Sequence, residues 1–209
     1  REDAEMAVIE MGANHLHEIA SYCTIALPTH GIITNCGKAH IEGFGSEAGV
    51  RKGKGELYDF IRAHNGTIFR NTDLSYLADM AGGIGNQITY GTHNAIYTGT
   101  PQMNHVWLRV MLHDTPAPTV IDTQLTGAYN FPNVMAAIAT GRHFGIPVEK
   151  ISAAVAAYQP DNSRSQWIER GSNRIILDAY NANPTSMHAA ITNFAQAPLD
   201  CKMLWLGGM

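Results

Sequence analysis

An acidic residue at the end of an apolar run is the first candidate for chemistry. Glu10 closes the run 6–10 (MAVIE) and is followed by Gly12 and Asn14. Such a run is typical of a buried strand, and open parallel sheets bind ligands at the carboxyl ends of their strands. A carboxylate there suits Mg²⁺ or a bound water, although a helix cap or an ordinary loop acid would use the same residue type. Glu10 is therefore a candidate metal ligand.

A second polar segment follows a second strand-like run, residues 31–35 (GIITN). Segment 34–45 (TNCGKAHIEGFG) combines polar side chains with glycines, which let a ligand approach the backbone. It is not a phosphate loop, because Ala39 stands where that loop requires Ser or Thr. His40 is the candidate residue here, although a histidine taken alone is more often structural.

Three more positions carry useful side chains. Lys54 lies in 52–56 (KGKGE) near a helix start, where a solvated basic face is the usual explanation. Asn130 and Asn133 open a helix, and an amide can pair with an adenine edge, whereas helix capping explains one of the two. Asp178 ends a strand before an Asn-rich turn. It suits ribose hydroxyls, and the turn gives a structural alternative.

The elements that must position these residues alternate between strand and helix. Strand-like runs 6–10 and 31–35 are followed by helical stretches 15–26 and 46–61, the latter capped by Ser46. This alternation predicts an α/β fold with a mostly parallel central sheet flanked by helices. From 66 to 125, short alternating segments separated by Gly, Asn and Pro predict an antiparallel β excursion with one short helix near 73–80.

Helical patterns then return at 130–144 and 147–158 before a polar stretch, 159–165, which indicates a domain boundary. We therefore divide the chain into domains 1–163 and 164–209. The remaining pattern predicts the opening βαβ unit of a second, Rossmann-like domain, with a strand at 174–178, a helix at 184–195 and a strand at 202–206.

Composition excludes several functions for the 209 residues. Fourteen Lys and Arg residues against 18 Asp and Glu give a net charge of -4 without a basic cluster, which argues against nucleic acid binding. No apolar run reaches the roughly 20 residues that cross a bilayer, and the charged start is unlike a signal peptide. The three cysteines lack metal-binding or disulfide spacing. These features predict a cytoplasmic protein in a reducing compartment.

Taken together, the polar segments resemble one family. Their order along the chain matches the Mur ligases, in the segments 10–14 (EMGAN), 34–45, 54–56 (KGE), the Asn130 and Asn133 pair, and 178–187 (DAYNANPTSM). Within the family, EMGAN and DAYNANP most resemble the members that join D-Ala-D-Ala to UDP-N-acetylmuramoyl-tripeptide in peptidoglycan precursor synthesis. The resemblance covers nearly the whole chain.

The resemblance implies an ATP- and Mg²⁺-dependent reaction in which a substrate carboxylate is phosphorylated and the acyl phosphate then accepts an amine. Phosphoryl transfer of this kind relies on cations that spread the charge on the transferred oxygens. It also implies a role for each candidate: Mg²⁺ binding by Glu10, His40 and Lys54, the last as a carbamate; adenine contacts from Asn133 and Asn130; a terminal phosphate contact from Arg164; and a ribose contact from Asp178.

The sequence also departs from the family pattern. A Gly-rich phosphate loop ending in Lys and Ser or Thr is expected upstream of Arg1, so these residues alone should bind ATP weakly and not catalyse ligation. Gly208 replaces the usual aspartate. An uncovered sheet edge would favour self-association. Two alternatives remain: another Mur or folylpolyglutamate-type ligase, and a noncatalytic module of the same fold.

Overall fold

A computed structural model describes residues 3–37, 41–104 and 106–207, which form a six-stranded mixed sheet flanked by helices and a separate two-stranded sheet. The large sheet has the same order in space as in the chain: β1 (His30–Ile32), β2 (Thr67–Asn71), β3 (Asn86–Gly91), β4 (Tyr97–Asn104), β5 (Trp107–Leu112) and β6 (Thr119–Thr126). The small sheet pairs β7 (Gln166–Arg170) with β8 (Asn173–Leu177). The helices are α1 (Glu18–Ala26), α2 (Ile41–Phe44), α3 (Glu47–Ala63), α4 (Tyr76–Met80), α5 (Phe131–His143), α6 (Val148–Ala157) and α7 (Pro184–Gln196).

The predicted α/β class with an antiparallel part is confirmed, but the antiparallel part begins later than expected. Strands β1, β2 and β3 pair in parallel, with α3 and α4 in the connections between them. A helical crossover lets successive strands run in parallel, whereas a tight turn suffices for an antiparallel pair. Strands β3 and β4 also pair in parallel, over two residue pairs. The antiparallel ladder runs only through β4, β5 and β6.

Two apolar clusters cover the two faces of the large sheet. In β2, Ile68 belongs to one cluster and its neighbour Phe69 to the other, because successive side chains of a strand point to opposite faces. The Ile68 face is covered by buried side chains of α3 and α4, including Tyr58 and Leu77. The Phe69 face is covered by α5, whose Ile138 is completely buried. The sheet is thus a middle layer that holds α3 and α5 in fixed positions.

The helix starts follow their sequence signals unevenly. Ser46 caps α3 as predicted, its hydroxyl accepting a hydrogen bond from the Gly49 N–H at 3.0 Å. Asn183 and Ser186 form a reciprocal capping box at the start of α7, where Pro184 is the first helical residue. Asn130 stands at the N-cap position of α5, yet its side chain makes no capping bond. The amide of Asn130 is therefore not explained by capping.

Two predicted strands are absent from the described residues. Runs 6–10 and 202–206 lie outside regular structure, and Val8 and Trp205 are 96% and 93% exposed. An apolar run becomes a strand only when a neighbouring strand pairs with its backbone groups, and neither run has such a neighbour in the described chain. In the described residues, β8 pairs with β7 and 202–206 forms no strand.

Strand β7 is a finding that the sequence did not predict. It pairs with β8 in an antiparallel hairpin whose turn contains Gly171 at φ 59°, a conformation that glycine adopts without strain.

Throughout the described ranges, no helix has the length and apolar character needed to span a membrane. The three cysteines are free, with Cys23 and Cys36 buried and Cys201 exposed.

Candidate functional site

Lys54 lies on α3, and its side chain points toward the loop that follows β1. Its Nζ donates a hydrogen bond to the backbone oxygen of Asn35 at 2.6 Å. Burial lowers the pKa of Lys54, and the neighbouring Cys36 opposes part of that shift. A lowered pKa increases the fraction of neutral amine, the form that is nucleophilic and able to react with carbon dioxide. Lys54 is thus not the solvated surface lysine that its local sequence suggested.

The loop after β1 is held in place from the other side by α4. The Cys36 N–H donates to the Tyr76 hydroxyl at 2.9 Å, and the Arg51 guanidinium lies 4.7 Å from the centre of the Tyr76 ring. Burial raises the pKa of the Cys36 thiol and of the Tyr76 hydroxyl, so both groups stay neutral. The carbonyl that receives the Lys54 amine is therefore part of a rigid loop.

Glycines bring two of the sequence motifs into contact. A Cβ added at Gly43 would collide with the backbone oxygen of Asn14, and one at Gly53 would collide with the ring of Phe44. Segment 10–14 thus meets segment 34–45 at Asn14, and the latter meets α3 at Gly53. Three motifs that are separate in sequence adjoin one another in the fold.

Glu56 is a positioning residue that our sequence analysis did not select. Its carboxylate accepts hydrogen bonds from the backbone N–H groups of His17 at 2.7 Å and Ala20 at 3.0 Å, at the start of α1. A carboxylate at a helix N-terminus stabilises the unpaired N–H groups there. Because Glu56 lies two residues after Lys54 on α3, it fixes the helix that follows segment 10–14 relative to the lysine. The only sequence signal was the KGE spacing, which does not reveal a contact 39 residues away.

Glu18 anchors the residues immediately before the part of the chain that Glu56 contacts. Its carboxylate accepts from the Asn14 N–H at 2.7 Å and from the His15 N–H at 3.2 Å. These backbone hydrogen bonds lower the pKa of Glu18. Two carboxylates, from Glu18 and Glu56, therefore anchor the chain between segment 10–14 and α1.

The remaining predicted metal ligands are less constrained. Glu10 is exposed and lies outside regular structure. His40 lies outside the described residues, as does Gly208. Across the described ranges, His, Cys, Asp and Glu side chains form no group of three or more that could hold a metal ion. The convergence of Glu10, His40 and Lys54 on Mg²⁺ stays a prediction.

Asn130 and Asn133 lie together at the start of α5. The Asn133 Nδ2 donates to the Asn130 Oδ1 at 3.3 Å, and the Asn130 Nδ2 donates to the backbone oxygen of Thr126 at 2.9 Å. Asn130 is half-buried and Asn133 is exposed. The amide of Asn133 therefore faces solvent while Asn130 orients it, and adenine recognition by the pair stays a prediction.

Ser165 connects this helix start to the residues after the predicted boundary. The Tyr129 hydroxyl lies 2.6 Å from the Ser165 Oγ, and Thr126 Oγ1 donates to the Ser165 backbone oxygen at 3.3 Å. The Ser165 N–H donates to Asp178 Oδ1 at 3.1 Å, and its hydroxyl donates to Asp178 Oδ2 at 3.4 Å. Ser165 is 5% exposed. We call Thr126, Tyr129, Ser165 and Asp178 the Ser165 network.

Arg164 is exposed and lies next to Ser165 in the chain, and Asp178, the exposed member of the network, lies close to Tyr180 in the chain. The Arg164 guanidinium lies 4.0 Å from the centre of the Tyr180 ring, a cation–π contact. Ser163 and Ser165, on either side of Arg164, have φ values of 59° and 51°, which serine adopts only at an energetic cost. The local backbone and the Tyr180 ring thus determine where Arg164 points. Sequence reasoning found neither constraint, because both depend on the tertiary contacts of Ser165.

Fold and site together define an α/β domain with polar groups gathered beyond the carboxyl end of β1 and at the start of α5. The model of the Mur ligase middle domain matches residues 1–141. The chain belongs to the Mur ligase family.

Relatives within the family are similar over most of this chain. The UDP-N-acetylmuramoyl-tripeptide--D-alanyl-D-alanine ligase of Escherichia coli is 32% identical over 98% of this chain, which corresponds to 46% of the relative. The ligase of the same name from Bacillus subtilis is 31% identical over the whole chain and 45% of its own length. The chain thus spans somewhat less than half the length of these relatives.

Solved structures show the same similarity. A crystal structure of MurF from Acinetobacter baumannii superposes with a TM-score of 0.84 at 28% identity, covering 94% of this chain and 44% of that one. MurF of Thermotoga maritima in complex with ADP gives a TM-score of 0.79 at 20% identity, covering 90% of this chain and 44% of that one, and at this identity shows the fold alone.

Proposed function

We propose that this chain is the ATP-binding part of a ligase that joins D-Ala-D-Ala to UDP-N-acetylmuramoyl-tripeptide through an acyl phosphate. Two observations support the reaction class: the family membership and the names of the relatives. The observation that carries the proposal is Lys54, whose half-buried side chain places its amine 2.6 Å from the Asn35 carbonyl where three motifs meet. This reaction would take place in the cytoplasm.

The donor set fits Mg²⁺ once Lys54 is carbamylated. Carbamylation replaces a cation by an oxygen-donor anion, and Mg²⁺ binds oxygen ligands. Desolvation of Lys54 favours the neutral amine that this modification needs. Glu10 and His40 would complete the protein ligands, and Mg²⁺ when bound would neutralise charge on the phosphoryl oxygens. Without the carbamate, the lysine would repel the metal ion.

The nucleotide would be held from both sides of the Ser165 network. Asn133, oriented by Asn130, would face adenine, while Asp178 would face the ribose and Arg164 the terminal phosphate. We place the domain boundary at 163/164, within this network. A contact on each side of the boundary would let nucleotide binding bring the two parts together and exclude water from the acyl phosphate.

Carbamylation of Lys54 is tested on the 209-residue chain itself. In ¹³CO₂-enriched buffer near pH 8, we expect a carbamate carbon signal by NMR that is lost in Lys54→Ala. Lys52→Ala is the matched control, because Lys52 is exposed on the same helix. The role of Lys54 is contradicted if Lys54→Ala retains the signal or the unmodified chain shows none.

Ligase activity is tested in the complete protein that contains this sequence, with ATP, the muramoyl tripeptide and D-Ala-D-Ala. Lys54→Ala should abolish amide formation, and added short-chain carboxylates should restore part of it. Unimpaired turnover by the variant would exclude the role of Lys54. Absence of ligation by the unmodified protein would instead favour a noncatalytic module or a ligase with other substrates.

The 209-residue chain alone should bind ATP weakly, and micromolar affinity would contradict that expectation.

We also propose that the exposed apolar runs 6–10 and 202–206 cause the 209-residue chain to self-associate. Residues such as Val8, Met203 and Trp205 expose most of their surface, and apolar groups of this size gain free energy when covered by a second copy. Light scattering should show dimers or larger species of the 209-residue chain, and Val8→Lys with Trp205→Lys should shift it toward monomer. A monomer at all concentrations would contradict this.

A further inference from the structure

We propose that His30 and His143 bind a divalent transition metal ion of the zinc class, at the end of β1 opposite the candidate nucleotide site. His30 is the first residue of β1, whereas Asn35 follows its carboxyl end. His143 is the last residue of α5, whereas Asn130 precedes its start. The two imidazoles therefore meet at the amino-terminal end of β1, whereas the residues proposed for nucleotide binding lie beyond its carboxyl end and at the start of α5.

The distance between the two rings matches tetrahedral coordination. The Nε2 atoms of His30 and His143 lie 3.3 Å apart. With Zn–N bonds of about 2.0–2.1 Å, a tetrahedral angle separates two nitrogen ligands by about 3.3–3.4 Å, while adjacent octahedral positions would separate them by only about 2.9 Å. The ring centres lie 5.3 Å apart with planes inclined by 60°. One metal ion can thus contact both nitrogens with little movement of either ring.

The surroundings orient His30 as a metal ligand. Its Nδ1 lies 3.0 Å from the Thr29 hydroxyl. Metal-binding histidines commonly donate their second ring N–H to a hydrogen-bond acceptor. When the Thr29 hydroxyl accepts from Nδ1 of His30, the lone pair of Nε2 is left for the metal ion. Burial lowers the pKa of His30, and the neighbouring His143 lowers it further. The neutral imidazole, which is the form that binds metal, is therefore favoured.

The position at the end of α5 also favours a cation. The carboxyl end of a helix carries a partial negative charge, and His143 lies in its last turn. Phe144 packs against His30 at 5.0 Å between ring centres, and Phe69 packs against His143 at 5.3 Å. These contacts restrict rotation of both imidazoles before metal binding, which reduces its entropic cost.

The guanidinium of Arg142, the residue before His143, is paired with other groups and does not compete with a metal ion for the two imidazoles. The Arg142 guanidinium pairs with Asp114 and lies 4.7 Å from the centre of the Tyr97 ring. Among the described side chains, His, Cys, Asp and Glu do not form a metal-binding group of three. The metal would therefore complete its coordination with water, and the two imidazoles give moderate rather than structural-site affinity.

The test measures binding of ZnCl₂ to the untagged 209-residue chain by calorimetry, with Co²⁺ absorption as the reporter of tetrahedral geometry. We expect one ion per chain, and a binding loss of at least about tenfold in His143→Gln and in His30→Gln. His113→Gln is the matched control, because its ring bonds a hydroxyl, that of Thr100, at 2.9 Å and is exposed. That variant should bind Zn²⁺ like the native chain.

A second measurement is independent of whether the variants fold. In the native chain, Co²⁺ should shift and broaden the imidazole NMR signals of His30 and His143 much more strongly than that of His113. The proposal is overturned if these signals do not respond, if His143→Gln binds Zn²⁺ as tightly as the native chain, or if about 1 mM Zn²⁺ shows no binding. Binding that disappears only in Cys201→Ser would also overturn it, since Cys201 is an exposed thiol.

Discussion

Different interactions hold the two ends of the proposed nucleotide site in position. The central region, residues 13–157, contains both large apolar clusters, and its helices α3 and α5 carry Lys54 and Asn130. In the C-terminal region, residues 163–207, helix α7 has no fully buried residue, and Ile175 on β8 is 40% exposed. Hydrophobic packing positions the first set of site residues, whereas the hydrogen bonds of the Ser165 network position the second.

This difference indicates which part of the site can move. Structure held by few buried apolar contacts opens at low free energy, while a packed core opens only with global unfolding. We therefore expect Arg164 and Asp178 to change position on ligand binding more readily than Lys54 or Asn130. Four measurements test the contrast, in order of decreasing effect.

Truncating one apolar side chain in each region, buried in the central region and partly exposed in the C-terminal region, should give the largest contrast. Ile138→Ala removes a completely buried group between α5 and the sheet and should lower the free energy of unfolding by about 2–5 kcal/mol. Ile175→Ala should lower it by less than about 1 kcal/mol, because its side chain is already partly in water. Urea unfolding followed by circular dichroism measures both. Equal losses would show that the C-terminal region is as well packed as the central one.

Removing a hydroxyl from the Ser165 network should have the next largest effect. Tyr129→Phe deletes one hydrogen bond and Ser165→Ala deletes two, at or next to the buried Ser165, and each change should cost about 1–2 kcal/mol. The double variant should lose less than the sum of the two, with a coupling of about 0.5–1.5 kcal/mol. Full additivity in urea unfolding would mean that the two residues do not act together, and that the link between regions lies elsewhere.

Neutralising Glu56 tests how the central region holds segment 10–14. Glu56→Gln weakens two hydrogen bonds at the start of α1 and should cost about 1 kcal/mol, with faster amide hydrogen exchange at His17 and Ala20. Glu149→Gln, an exposed acid in the first turn of α6, should cost only a few tenths of a kcal/mol. If exchange at α1 is the same in both variants, Glu56 does not anchor this helix.

The smallest effect should appear as a pH dependence at Glu18. Its folded pKa is lowered below 4.5, so its stabilising contribution is complete above the unfolded pKa and is lost as the pH falls through the folded value. The amide NMR shifts of Asn14 and His15 should therefore follow the titration of the Glu18 carboxylate in acid. The dependence should be absent in Glu18→Gln. Shifts that titrate unchanged in this variant would assign them to another group.

Local sequence signals predicted those elements whose partners lie close in the chain. Ser46 begins α3 as expected, because an N-cap needs only the next three residues. The alternation of β5 and β6 was likewise recognised, since an antiparallel hairpin depends on adjacent segments. By contrast, run 6–10 has the apolar pattern of a strand and yet remains exposed, because pairing requires a neighbour that the pattern does not specify.

The order of polar motifs in the sequence was enough to predict the family, the α/β class and the candidate residues. Tertiary structure alone showed that Lys54 is desolvated beside Asn35, that Glu56 holds α1, and that Ser165 joins Tyr129 to Asp178. The physical reason is that residue type and spacing specify what a side chain can do, whereas burial and hydrogen-bond partners come from segments many residues away. Those long-range contacts determine which form of each group is stable.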